Sequence, residues 1–188
     1  MTTKIAVFAS GSGSNFQALQ ESIDRGELDA KIELLVTDKP NAFVVKRAEQ
    51  FNIPVFAFTP KNYESKATYE SEIVERLREK SVEWIVLAGY MRLVGDTLLS
   101  AYPKRIVNIH PSLLPSFPGK DAIGQAMSHG VKVTGVTVHY VDEGMDTGPI
   151  ISQVAVDVVE GDREATEERI HAVEHKLYTE TLKQLFEE

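Results

Sequence analysis

The chain has no cysteine. This excludes disulfide staples, thiolate nucleophiles and Cys-ligated metal centres, and it suits a reducing cytoplasm, the expected compartment. Long apolar runs are missing too: none approaches the ~18–20 residues that a bilayer-crossing helix needs. The first ten residues carry one Lys and a short apolar run at 5–9, too short for a signal-peptide core. Basic charge is in deficit, with 20 Lys and Arg against 28 Asp and Glu and a net charge of -8 at pH 7. Such a chain lacks the basic face that sequence-independent nucleic-acid binding demands, so neither nucleic acid nor membrane is expected as a partner. Linkers, low-complexity stretches and fixed-period repeats are absent as well.

What remains is an ordinary globular composition, 43% hydrophobic and 26% charged over 188 residues. That length suits one domain of about 100–200 residues, expected to span 1–188. In the first half, short apolar runs alternate with amphipathic stretches. Residues 5–9 and 32–36 read as buried strands, 53–58 as a strand whose start Pro54 confines to an edge, and 84–88 and 106–109 as further buried strands. Between them, Phe16, Leu19 and Ile23, then residues 43–50, then Tyr69, Ile73 and Leu77 mark helices. This order predicts a doubly wound, mainly parallel α/β sheet. The second half changes period. Val136, Val138 and Tyr140, and later Val154, Val156 and Val158, alternate with their neighbours as in strands with one exposed face, which predicts an antiparallel addition. Ile170, Val173, Leu177 and Leu185 predict a C-terminal helix.

Open α/β sheets bind ligands beyond the carboxyl ends of their strands, and three polar loops are expected there. Ser10-Gly11-Ser12-Gly13-Ser14-Asn15 follows the first strand. Its glycines let backbone N–H groups approach an anion at a helix N-terminus, so a phosphate is the natural guest. The plainer reading is a tight turn with Ser14 or Asn15 as helix cap. The third glycine of a dinucleotide fingerprint is missing, with Phe16 in its place. Even so, Asp38 lies where the ribose-binding acid of a nicotinamide enzyme would sit, which keeps an oxidoreductase as a rival.

The second loop runs from Asn108 through His110 to Gly119. Asn108 and His110 leave one face of a strand, and three prolines stiffen the loop that follows. An amide donor for an oxyanion beside a proton-moving imidazole is the pairing acyl-type transfer needs. In the third loop, residues 142–149, Asp146 can pair with His110 and favour its charged form; the plainer reading is a solvated acidic turn. His110, His139 and a carboxylate are a weak two-His metal candidate, since no close ligand spacing supports it. His171 and His175 stand i, i+4 without the HEXXH pattern, and a solvated or supporting role is expected for them.

Taken together, SGSGSN at 10–15, AGYMR at 88–92, NIHPSLLPSFPG at 108–119 and DEGMDTGPI at 142–150 resemble the folate-dependent formyltransferase family, in its glycinamide ribonucleotide branch, over essentially the whole chain. The resemblance implies a Rossmann-like formyltransferase fold with a phosphate-binding first half, and with folate and catalytic loops in the second. It implies formyl transfer from 10-formyltetrahydrofolate to the amine of glycinamide ribonucleotide, with no metal. Carried over to this sequence, Gly13, Ser14 and Asn15 hold the substrate phosphate, Glu174 meets its ribose or glycinamide part, and Asn108, His110 and Asp146 are the catalytic trio. Met91, Arg92, Leu93 and Val94 face the pterin, and the 142–146 loop with Asp142 and Glu143 closes over it. Lys66 meets the glutamate tail, where the family often has Arg. Ser116 replaces a common Lys or Arg and receives no role.

Other readings place the chain elsewhere. A formyltetrahydrofolate hydrolase shares the trio but usually carries an N-terminal regulatory domain, for which a strand beginning by Ile5 leaves no room. A methionyl-tRNA formyltransferase would need an RNA-binding domain and a more basic surface. A nucleotide-sensing module would use the Gly-Ser loop alone and have no use for the trio. Monomer and homodimer are both open.

Overall fold

A computed structural model describes residues 1–188. The chain runs β1 (Thr3–Phe8), α1 (Ser14–Asp24), β2 (Ala30–Thr37), α2 (Phe43–Gln50), β3 (Val55–Ala57), α3 (Lys66–Glu79), β4 (Trp84–Leu87), α4 (Asp96–Ala101), β5 (Ile106–His110), α5 (Ala122–His129), β6 (Val133–Tyr140), β7 (Ile150–Asp157) and α6 (Arg163–Glu187). The strands hydrogen-bond in the order β3-β2-β1-β4-β5-β6-β7. β1 is parallel to β2 and β4, and β2 to β3, whereas β6 and β7 are antiparallel. This is the mainly parallel sheet with an antiparallel addition that the sequence predicts. The chain divides into two compact units, Met1–Val107 and Asn108–Glu188, with the division inside β5.

The first unit is built on β1. Its Ile5, Ala6, Val7 and Phe8 are wholly buried, the continuous apolar run expected of a strand inside a parallel sheet. β3 is three residues long, starts after Pro54 instead of at residue 53, stops before Phe58, and ends the sheet. On α1 the buried face is Phe16, Leu19 and Ser22 rather than Ile23; i+6 replaces i+7 there, and Ile23 is only half-buried. α3 buries Tyr69, Ile73 and Leu77 as expected, and also Glu70 and Val74. Ser65 caps it, accepting the Thr68 N–H at 3.2 Å.

In the second unit the expected half-exposed pair is unequal. β6 is buried from Thr134 to His139, while β7 is mostly exposed. β6 lies inside the sheet and β7 ends it, so the two strands carry similar sequence alternation in different surroundings. α6 buries Ile170, Leu177 and Leu185 together with Glu174, Tyr178 and Leu182, and Val173 is half-buried. α5 is capped at both ends: Asp121 Oδ1 accepts the Gly124 N–H, and Gly130 takes the left-handed conformation (φ 75°) that closes a helix.

Candidate active site

In the first unit the Gly-Ser loop turns its carbonyls away and leaves its N–H groups forward. Gly11 O accepts the Val44 N–H at 3.1 Å, and Ser12 O accepts Arg47 Nε at 2.6 Å. Arg47 is held in turn by the Gln17 side chain. Gly13 is the N-cap of α1, with φ 79° and no side-chain cap, so neither Ser14 nor Asn15 is the cap that a plain turn would use. A Cβ at Gly13 would lie 2.4 Å from Val44 Cγ2. Only glycine therefore fits there, on conformation and on space. No protein acceptor meets the N–H groups of Gly13 and Ser14, which stand at the partly positive end of an eleven-residue helix. This arrangement suits an anion.

Residues 91–94, after β4, lie outside any helix or strand, and side chains hold them. Met91 N–H donates to Ser10 Oγ at 2.9 Å, Lys66 Nζ donates to Leu93 O at 2.8 Å, and Gly95 N–H donates to Glu70 Oε2 at 2.8 Å. Burial raises the Glu70 carboxyl above its ordinary range, against the pull of that backbone N–H. Met91 and Leu93 are about half exposed, at 56% and 44%, whereas Val94 is buried. The Lys66 side chain thus reaches the 91–94 backbone. Asp38, the possible ribose acid, points inward: its side chain is 1% exposed, and both oxygens are bonded to Ser10 and Arg92. A ribose hydroxyl would have to displace them, which removes the ground for a nicotinamide enzyme.

In the second unit the predicted trio comes together. Asp146 Oδ2 lies 3.5 Å from His110 Nδ1 and accepts the Gly119 N–H at 2.8 Å. His110 Nε2 donates to Phe117 O at 2.8 Å, and His110 is buried. The Asp146 backbone is left-handed (φ 57°), a conformation that Asp tolerates better than most residues and that turns its carboxylate inward from an exposed loop. Asp142 organises that loop, accepting from Gly144 N–H at 3.0 Å and Thr147 Oγ1 at 2.7 Å; Glu143 is exposed.

A fourth residue joins them that sequence reasoning weighed only as a metal ligand. His139, on β6, is 2% exposed. Its Nδ1–H donates to Tyr140 O at 2.8 Å, so its Nε2 accepts from Asn108 Nδ2 at 3.2 Å. Burial lowers its pKa below the usual histidine value, which keeps it neutral and able to accept. Asp146 Oδ1 is 3.8 Å from the same Nε2. His110, His139 and Asp146 therefore do converge, but three of the four ring nitrogens are taken by hydrogen bonds, and no group of three or more His, Asp or Glu is arranged to hold a metal ion.

The 111–118 loop is held from β6 and β7. Thr137 Oγ1 donates to Ser112 O at 2.7 Å and accepts the Leu114 N–H at 3.1 Å, and Gln153 Nε2 donates to Leu114 O at 2.9 Å. Ser116 is exposed, and its carbonyl accepts Ser112 Oγ. On α6, Glu174 is buried and accepts His171 Nδ1 at 3.2 Å, a contact that raises the His171 pKa.

An amide, an imidazole and a carboxylate converge with no Ser or Cys nucleophile bonded to the imidazole, at a strand end of an α/β sheet. This is equipment suited to acyl-type group transfer. The formyl transferase family model matches residues 3–182, and the chain belongs to that family. It is 61% identical to phosphoribosylglycinamide formyltransferase of Bacillus subtilis (strain 168) over 183 residues, 97% of this chain and 94% of that one. Among solved structures, glycinamide ribonucleotide transformylase 1 of Geobacillus kaustophilus matches with a TM-score of 0.95 and 61% identity, covering 98% of this chain and 99% of the other. Phosphoribosylglycinamide formyltransferase of Bacillus halodurans matches at 0.94 and 58%, covering 97% and 95%.

Proposed function

We propose that this chain, as one formyltransferase domain in a cytoplasmic enzyme, transfers the formyl group of 10-formyltetrahydrofolate to the amine of glycinamide ribonucleotide in purine biosynthesis. The observation that carries the chemistry is the cluster at Asn108, His110, His139 and Asp146. Asn108 Nδ2 has one N–H directed at His139 and a second left for the oxygen that becomes negative as the amine attacks the formyl carbon. A donor so placed supplies about 10²–10³ in rate. His110, whose Nδ1 lies 3.5 Å from Asp146 Oδ2, stabilises the same charge. As the new C–N bond replaces the old one, the proton lost by the amine passes, directly or through water, to the departing folate nitrogen. A positioned group that moves such a proton contributes about 10²–10⁴. Protonation is all the leaving nitrogen needs, so the residues present suffice.

Gly13, Ser14 and Asn15 are assigned to the substrate phosphate, supported by the forward N–H groups, and Glu174 to its ribose or glycinamide part. Residues 91–94 are assigned to the pterin, supported by the exposed apolar Met91 and Leu93, which suit a flat ring. Asp142, Glu143 and Asp146 belong to the loop that covers it, and Lys66 is left for the glutamate tail or for holding Leu93. The test is the absorbance change on loss of formyl from 10-formyltetrahydrofolate, with and without the ribonucleotide. Turnover should require the ribonucleotide, and His110→Asn should lose about 10²–10⁴ of it while ribonucleotide binding survives. Turnover with water alone would make the chain a hydrolase. Unchanged turnover in His110→Asn would remove the assignment of His110.

A further inference from the structure

We infer that Asp38 is a positioning residue for the folate, setting the backbone at Met91 and Arg92 through Ser10 and the Arg92 guanidinium; the inference rests on the assignment of residues 91–94 to the pterin. Asp38 follows β2 and its side chain is 1% exposed. Oδ1 accepts Ser10 Oγ at 2.5 Å, and Oδ2 accepts Arg92 Nε at 3.1 Å. Ser10, whose own N–H donates to Gly89 O at 3.0 Å, then accepts the Met91 N–H at 2.9 Å.

The direction of each bond explains why a carboxylate stands there. Asp38 can only accept, so the Ser10 hydroxyl hydrogen points at it, leaving the hydroxyl lone pairs for Met91 N–H. The second oxygen holds a charged donor, and such bonds are shorter and stronger than neutral ones. An amide at 38 would keep one acceptor and gain two donors. Its NH₂ would face either the Ser10 hydroxyl, reversing it, or Arg92 Nε, donor against donor.

The need for such a device lies in residues 91–94 themselves. They have no strand ladder or helix to hold them. Lys66 and Glu70 secure Leu93 and Gly95, while Asp38 and Ser10 secure the Met91 end. A ligand recognised through backbone groups binds tightly only if those groups are held before it arrives.

The test uses the full chain, with Asp38→Asn and Ser10→Ala as variants and 10-formyl-5,8-dideazafolate as probe. In the free protein, both variants should speed hydrogen exchange across residues 89–93. Both should raise the Kd of the probe, Asp38→Asn by about 10–100-fold, the fold-change that the loss of one charge-assisted hydrogen bond carries. The loss should fall on KM for the folate while kcat at saturation stays near the parent value. Ser10→Ala removes one hydroxyl without altering a buried charge, so it decides the matter if Asp38→Asn fails to fold. In the unmodified protein the probe should protect residues 91–94 from exchange. If it does not, the pterin assignment fails. If it does, yet the folded variants bind the probe as tightly as the parent, or lose kcat with KM unchanged, Asp38 is not a positioning residue.

Discussion

Asn108 serves an oxyanion only if its nitrogen, and not its oxygen, faces the reacting carbonyl, and His139 determines which it is. The Nδ1–H of His139 is spent on Tyr140 O, so Nε2 must accept and the Asn108 amide must present its NH₂ group. His139→Ala should therefore reduce kcat, by between about 10-fold and the ~10²–10³ that losing an oxyanion donor costs, with little change in ribonucleotide affinity. His139→Gln, which offers an oxygen in place of Nε2, should recover part of that loss. Steady-state kinetics beside a ribonucleotide binding isotherm would separate the effects, and a fall in affinity with kcat intact would show His139 to be a binding residue. Asn108, His110 and Asp146 could be found in the sequence because loop motifs surround them. His139 could not: it lies in an apolar strand, and its role follows from a contact with a residue 31 positions away. Asp38 was visible at its strand end, but the direction of its side chain depends on Ser10 and Arg92, which no local pattern brings together.

At the scale of elements, the 142–149 loop closes back on β6 because residue 148 has no side chain. A Cβ there would lie 1.7 Å from Tyr140 O, a backbone atom that cannot rotate aside. Gly135 on β6 is similarly confined: a Cβ there would lie 2.3 Å from Val154 O and 2.5 Å from Leu113 Cδ2. Gly148→Ala should cost at least the ~1–3 kcal/mol of ordinary overpacking and displace Asp146 with its loop. Gly11→Ala, with nothing within 4 Å, should leave stability near the parent value. Urea midpoints at constant m-value would check both, and a neutral Gly148→Ala would mean that the loop yields freely. Gly148 is thus required by space. The parallel strands and the long helices were legible because runs of buried side chains and 3.6-residue stripes carry them. α4 has six residues and one buried side chain, and α5 has eight with Gly124 inside, so neither leaves a periodic signal. The unequal burial of β6 and β7 was hidden for another reason, since it depends on position in the sheet rather than on alternation.

For the molecule as a whole, two histidines give stability opposite slopes with pH. Burial depresses the pKa of His139, while the Asp146 and Asp142 carboxylates pull it back and His110 adds to the depression. The unfolded chain, with an ordinary value of about 6.5, therefore takes up a proton first on acidification. The His139 contribution is complete above that value and is lost as pH falls through the depressed one. The hydrogen bond that His171 donates to Glu174, helped by the Glu174 and Glu167 charges, raises the pKa of His171. Its contribution is complete below about 6.5 and is lost as pH rises through the raised value. His171 is half exposed and His139 is not, so solvent screens the first far more than the second. The acid side should therefore be the steeper. Urea midpoints should fall clearly between pH 6.5 and 5 and only slightly between 6.5 and 8. His139→Gln should flatten the acid fall, and His171→Ala the shallow alkaline one. Activity should share the acid limb, since a protonated His139 becomes a donor and can no longer hold the Asn108 NH₂. An acid loss of stability that persists in His139→Gln would place its source in another group, and an acid loss of activity there would separate catalysis from the state of His139.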